Sequence, residues 1–170
     1  MRAALEKQQI QSLTNPVVAT AIRHAINSLP PLTVAPDKTA VASTHANGFT
    51  IVESSQNPVS GDPTSTASHN LTLYDAYGGI VYVVTYNDTF YWTGSQVSAA
   101  QPYWTYWRAW YEGLNSFEPG SSTVSNWGSE SYSQGYANIV LSISLGTIKY
   151  NLTGEAYMYA NGTWSAGVQE

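Results

Sequence analysis

The first thirty residues carry apolar side chains at helical spacing. Residues 2–13 are rich in good helix formers but have only a thin apolar stripe. A second helix is predicted to begin after Asn15, which can cap it, with Pro16 in the first helical position, where no N–H is needed. Pro30-Pro31 ends it. The pattern predicts two short helices, or one broken helix, and the apolar stripe of the second consists of Val18, Ile22, Ala25 and Leu29.

From residue 70 onward the apolar residues alternate with polar ones, which is typical of β-strands. Gly78-Gly79 and Asn87-Asp88 stand between such runs and are predicted to be turns. A strand with Ile139, Leu141, Ile143 and Leu145 on one face follows later. The chain then closes with a hairpin around Asn161-Gly162, for which a type I′ turn is predicted. About eight strands with short connections are expected.

Two stretches are harder to interpret. Residues 30–68 are rich in Pro, Ser and Thr, and they are interpreted as extended chain with one strand at 49–53 and a polar loop over 54–68. The aromatic stretch 101–115 fits either a strand or a helix, because Trp104, Trp107, Tyr111 and Leu114 share one helical face. We favour a short helix that begins at Pro102.

These elements predict a mainly β protein, an antiparallel β-sandwich of jelly-roll type with an N-terminal helical arm. Residues 1–38 are expected to form the arm and a Pro-rich connector, and residues 39–170 the sandwich domain.

Charge divides the chain at the same place. Residues 1–38 hold four basic and two acidic side chains, whereas the remainder holds two basic and nine acidic ones. Charged residues make up only 10% of the whole chain, against about 25% in typical globular proteins. A polar surface with so little charge is common where a protein faces copies of itself or the outside of a cell. The basic arm is too sparse for specific nucleic-acid binding, but it can lie against an anionic membrane surface or the acidic face of a partner. The arm can pack on its own domain or reach a neighbouring subunit, and we favour the second.

No pattern in the chain indicates catalysis or a cofactor. There is no cysteine, so disulfides and thiolate metal sites are excluded. The three histidines, His24, His45 and His69, lack metal-binding spacing, and neither a G-x-S-x-G sequence nor a phosphate-binding glycine loop occurs. We therefore expect neither an enzyme nor a bound cofactor. The polar N-terminus lacks the apolar core of a signal peptide, which predicts synthesis in the cytoplasm without one.

The aromatic cluster is the main candidate for a binding surface. Large rings bury much area at low entropic cost, so they suit a sandwich core, a subunit interface, or a sugar or membrane site. Arg108 lies among these rings and can stack on them or pair with Glu112. The residues considered as interface or ligand aromatics are Tyr103, Trp104, Trp107, Trp110 and Tyr111.

Four N-x-Ser/Thr sequences are candidate acceptors for N-glycosylation on an outer surface, and they begin at Asn70, Asn87, Asn151 and Asn161.

The general plan resembles the small single-jelly-roll capsid proteins of thermophilic prokaryotic viruses. The helical arm at 2–29, the connector with Pro30, Pro31 and Pro36, and a hairpin-rich body that ends in YMYANGTW carry this resemblance. It implies a coat subunit of a virion or another assembled extracellular particle. Its partners would be copies of itself and other coat proteins. The contacts would be the arm residues Val18, Ile22 and Leu29 together with the aromatics.

Two other classes stay open. One is a lectin-like or actinoporin-like module that binds sugar or membrane through its aromatics. The other is a pilus-like subunit of an extracellular filament. We expect a self-assembling structural subunit before either of them.

Overall fold

The computed structural model describes residues 1–57, 64–107, 114–124, 128–143 and 145–170. Within this part, a helical N-terminus precedes ten β-strands. The helical elements are α1 (Arg2–Gln11), a 3₁₀ turn (Ser12–Thr14) and α2 (Pro16–Ser28). The strands are β1 (Leu32–Val34), β2 (Lys38–Ala46), β3 (Phe49–Asn57), β4 (Thr64–Tyr74), β5 (Ile80–Trp92), β6 (Val97–Trp107), β7 (Leu114–Val124), β8 (Glu130–Ile143), β9 (Gly146–Tyr159) and β10 (Trp164–Gln169).

The strands form two five-stranded sheets that pack face to face. Sheet A has the order β1-β10-β9-β8-β7, and sheet B has the order β2-β3-β4-β5-β6. All the pairings are antiparallel. One continuous hydrophobic core joins the inner faces of both sheets to the buried sides of the helices. The expected mainly β antiparallel sandwich with an N-terminal helical arm is therefore confirmed.

The strand order is that of two meanders and does not give a jelly roll. A jelly roll consists of Greek keys, in which a long connection returns the fourth strand to the side of the first. Here β2 to β6 each pair with their neighbours in sequence, and so do β7 to β10. Short turns favour such local pairing. Only β1 departs from it, because it joins sheet A beside β10.

The hairpin between β2 and β3 turns on Asn47-Gly48. Both residues have positive φ, 47° and 82°, as a type I′ turn requires. The sequence interpretation had extended chain before the strand at 49–53, so it missed β2. The Asn-Gly pair was the signal that predicts this hairpin.

The hairpin between β9 and β10 has a different turn from the predicted one. Only Gly162 has positive φ there, and its N–H donates to the Tyr159 carbonyl at 2.8 Å. A three-residue loop with glycine in the left-handed position fits these facts, whereas a type I′ turn does not. The loop between β4 and β5 has the same form around Gly78.

Two predicted loops are strands. Asn87 and Asp88 lie within β5 and pair with β4 and β6, so the expected turn there is wrong. The proposed polar loop at 54–68 is also wrong at both ends, because β3 extends to Asn57 and β4 begins at Thr64. Both errors have one cause: these strands carry many polar residues, and composition alone does not distinguish a polar strand from a loop.

The aromatic stretch from residue 101 to residue 107 belongs to strand β6, which corrects the predicted helix. Trp104 pairs with Tyr86 and Pro102 with Asp88 across the β5–β6 ladder. Pro102 is compatible with β6 because this strand is at the edge of sheet B, where proline is tolerated within a sheet. Residues 108–113 lie outside the described part of the chain.

The helical arm begins and ends as the sequence predicts. The Asn15 side chain accepts a hydrogen bond from Val17 N–H at 2.9 Å, and Pro16 occupies the first turn of α2. The helices cover one end of the sandwich, where they bury Ile10, Leu13 and Ile26 with apolar residues of both sheets.

Candidate functional site

The apolar stripe of α2 faces the chain's own sandwich. Ile22 and Leu29 are buried in the common core, and Val18 packs against it. The sequence interpretation assigned these side chains to contacts with a neighbouring subunit. In this structure they are covered, because the sandwich end offers an apolar surface that the arm closes.

Two of the arm's cations are also held within the chain. Arg2 pairs with Glu6 at 2.6 Å and donates to the Tyr77 carbonyl at 2.7 Å. Arg23 pairs with Glu170 at 2.8 Å and donates to the Lys149 carbonyl at 2.9 Å. These contacts anchor the arm to the β4–β5 loop of sheet B, to β9 of sheet A and to the C-terminal residue that follows β10.

The predicted aromatic cluster is divided between inside and outside. Trp104 is only 7% exposed and contacts Tyr86, with ring centroids 4.9 Å apart. Tyr103, next to it, points outward and is 44% exposed. Trp107 belongs to β6, but its side chain is outside the described part, as are Arg108, Trp110, Tyr111 and Glu112. Of the two members whose side chains are described, Tyr103 is the exposed one, and Tyr106 of the same stretch is 46% exposed.

Two glycines of sheet A make room for the buried rings. A Cβ on Gly135 would lie 2.6 Å from Trp104 Nε1, and one on Gly154 would lie 2.8 Å from Trp104 Cζ2. The two glycines are directly opposite each other on β8 and β9. The sandwich therefore packs large side chains of sheet B against bare backbone of sheet A.

The outward side of sheet B carries uncharged side chains in register. We call the described outward side chains of β3 to β6 the neutral face, because none of them is acidic or basic. One row runs from Ser54 through Asn70 and Thr85 to Thr105. Further members are Thr50, Val52, Gln56, Thr66, Ser68, Thr72, Tyr74, Val83, Asn87, Thr89, Tyr91 and Tyr103.

Hydrogen bonds between strands connect the neutral face. Thr85 donates to Asn70 Oδ1 at 2.6 Å, and Ser68 donates to Asn87 Oδ1 at 2.8 Å. The hydroxyls of Thr66 and Thr89 are 2.7 Å apart. The polar groups in these rows are thus largely satisfied within the sheet.

The four glycosylation sequences divide into two groups. Asn70 and Asn87 belong to the neutral face, where their amides bond to neighbouring strands, and Asn87 is only 6% exposed. Asn151 on β9 and Asn161 in the last turn are exposed. Only the second pair offers its side-chain amide to a modifying enzyme in the folded protein, and its use stays a prediction.

A buried polar cluster lies between the sheets, at the half of the sandwich away from the helices. On β3 and β4, Ser55 hydrogen-bonds to Nδ1 of His69, and Nε2 of His69 lies 3.3 Å from Glu53 Oε2. On the adjacent strand β5, the Tyr86 hydroxyl forms a hydrogen bond of 2.8 Å with Ser133 Oγ, which belongs to sheet A. Asp88 completes the cluster. Glu53, Ser55, His69, Asp88 and Ser133 are fully buried.

Both acids of this cluster have raised pKa values. Burial raises the pKa of Asp88 to about 7, which the Ser133 hydroxyl partly offsets. Burial also raises the pKa of Glu53, against the opposing influence of His69. Apart from the nearby Ser133 hydroxyl, no described residue offers the Asp88 carboxylate a hydrogen bond.

The sequence interpretation missed this cluster. It placed His69 and Asp88 in a loop and a turn, and it assigned neither Glu53 nor Ser55 a role. The alternation Phe49, Ile51, Glu53, Ser55, Asn57 on the inner side of β3 was its only signal.

Ser55, His69 and Glu53 follow the order of a hydrolytic triad. Each is nevertheless 0% exposed, and Ser55 lies inside a paired strand. Ser55 Oγ is therefore closed to a substrate in this structure.

Comparison with protein-family models, with curated proteins and with solved structures gives no match to this chain. None of the described helices is long and apolar enough to cross a membrane.

Proposed function

We propose that this chain is a structural subunit that self-associates to build a shell or filament, with the neutral face as a contact surface. The observation that carries the proposal is the neutral face itself, a sheet surface without a charged side chain over the described parts of four adjacent strands. A viral coat, as the sequence resemblance implies, is one particle of this kind.

Association removes both contact surfaces from water, which costs free energy wherever a charged side chain is covered. Charged side chains are depleted at the centres of interfaces because their desolvation is expensive. Hydroxyl and amide groups already bonded to one another, such as Asn70 with Thr85, lose less hydration when a second surface covers them.

Two outward tyrosines add area for contact. Tyr103 and Tyr91 are 44% and 39% exposed on the same side of sheet B. A tyrosine ring buries a large area with little loss of rotamer freedom, so such residues often dominate the energy of an interface. We expect these two rings to contribute most of the binding energy when a second copy of the chain covers the neutral face.

A matched pair of charge insertions tests the proposal. Thr105→Lys places a cation on the neutral face, whereas Thr153→Lys places the same cation on the outer side of sheet A. We expect Thr105→Lys to raise the dissociation constant of self-association at least about tenfold in sedimentation equilibrium. The dissociation constant of the Thr153→Lys variant should stay close to that of the unmodified protein.

Two results contradict the proposal. The first is an unmodified protein that stays at its monomer mass of 18.5 kDa at every concentration. The second is an association that both lysine variants weaken equally. The loss would then not depend on which sheet carries the added charge, so the neutral face would not be the specific contact surface. Unchanged circular dichroism of the variants excludes misfolding as the cause of any loss.

A further inference from the structure

The outer side of sheet A, opposite the neutral face, contains a groove of about 260 Å³. It runs along the adjacent strands β9 and β10. The side chains that matter for its chemistry are Glu155, Tyr157, Tyr159, Ser165 and Gln169, and Gly167 forms part of the floor.

The floor is open because Gly167 has no side chain. Gly167 is opposite Glu155 in the register of the two strands, and Ser165 is opposite Tyr157. A Cβ on Gly167 would come within 3.4 Å of Pro31. A side chain at this position would occupy the space between the tyrosines and the β1 side of the sheet.

The acid of the groove is held in place by its neighbours on β8. Tyr132 donates a hydrogen bond to Glu155 Oε1 at 3.0 Å, and Gln134 donates to the same oxygen at 3.1 Å. The two bonds leave Glu155 Oε2 as the oxygen for a ligand. The Tyr157 ring is fixed against Tyr132, with centroids 4.8 Å apart.

This set of groups selects a class of ligand. No basic side chain lines the described groove, and Glu155 is present, so phosphate, sulfate and carboxylate ligands are disfavoured. A carboxylate, an amide and a hydroxyl beside aromatic rings suit a neutral ligand that has several hydroxyl groups and apolar C–H faces. The volume is slightly below the roughly 300–1,000 Å³ of drug-sized pockets, so it fits one ring of such a ligand.

We propose that this groove binds a sugar residue, with a C–H face of the sugar against Tyr157 or Tyr159. The ring hydroxyls donate to Glu155 Oε2 and exchange hydrogen bonds with Gln169 and Ser165. The site is distinct from the proposed self-association surface, so a subunit in an assembly still presents it.

Saturation-transfer NMR with single sugars tests the proposal on the intact chain. The probes are glucose, galactose, mannose, xylose and N-acetylglucosamine, each up to tens of millimolar. We expect at least one to receive saturation at its ring C–H protons. Tyr157→Ala and Glu155→Gln should each weaken its binding about tenfold. Glu155→Gln keeps an oxygen that accepts from Tyr132 and Gln134, so the groove should keep its shape.

Tyr77→Ala is the matched control, because it removes a similarly exposed tyrosine that lies outside both the groove and the neutral face. Tyr77 is 40% and Tyr157 38% exposed. No saturation transfer to any of the five sugars would overturn the proposal. So would a signal that Tyr77→Ala reduces as much as Tyr157→Ala. Choline chloride and sodium sulfate are tested in the same way. If choline or sulfate binds more tightly than every sugar, the groove is an ion site and the sugar proposal is wrong.

Discussion

At the scale of single residues, the buried polar cluster shows what sequence patterns miss. Serine, asparagine and histidine are ordinary loop residues, and nothing local distinguishes the inward His69 from the outward Asn70 beside it. Only the pairing of β3, β4 and β5 brings Ser55, His69 and Tyr86 into one row. The glycines opposite that row had no separate signal either, because their role depends on rings from the other sheet.

The raised pKa of Asp88 predicts an unusual dependence of stability on pH. The value rises from 3.8 in an ordinary aspartate to about 7 in the fold, because burial penalises the charged form. The folded state therefore binds a proton more tightly than the unfolded chain. The contribution of Asp88 to the free energy of unfolding is therefore fully present below about pH 4, and it is lost as the pH rises through 7.

Thermal unfolding between pH 4.5 and 8.5 measures this effect. We expect the melting temperature of the unmodified protein to fall as the pH rises, and Asp88→Asn to reduce the slope. Glu53 and Glu170 also have raised pKa values through burial, so some slope remains in the variant. A melting temperature that rises with pH in this range would contradict the assignment.

At the scale of elements, prediction succeeded where a signal is local. The capped start of α2 and the alternating strands after residue 70 were predictable because Asn15-Pro16 and the period-two pattern act within a few residues. The β6 strand was not, since helical spacing of aromatics and strand alternation coincide over so short a stretch. Whether α2 packs on its own body or on a neighbour depends on tertiary contacts, so the apolar stripe alone could not decide it.

A substitution at Ile22 distinguishes packing of α2 on its own sandwich from packing on a neighbouring subunit. The side chain is fully buried in the common core, so Ile22→Ala should reduce the free energy of unfolding by about 2–5 kcal/mol. Urea unfolding of the dilute protein measures the change, and Val17→Ala, at a position 73% exposed, is the control. Unchanged stability with weaker association would mean that the helix binds a neighbouring subunit instead.

At the scale of the whole molecule, the two outer faces of the sandwich differ in chemistry. Sheet B presents the neutral face, with hydroxyl and amide groups bonded across the strands, whereas sheet A presents tyrosines around one carboxylate. The arm closes one end of the core, and two of its cations, Arg2 and Arg23, form ion pairs within the chain. A subunit built in this way can use one face for its own copies and keep the other for a ligand.

Side-chain oxidation at low and high protein concentration tests the central claim most directly, because it reports which face is covered. Tyr103 and Tyr157 are similarly exposed on opposite faces, so each serves as the reference for the other. The account predicts that hydroxyl-radical labelling of Tyr103 falls several-fold in concentrated samples while labelling of Tyr157 stays constant. Equal labelling of Tyr103 at all concentrations, or protection of Tyr157 alone, would contradict it.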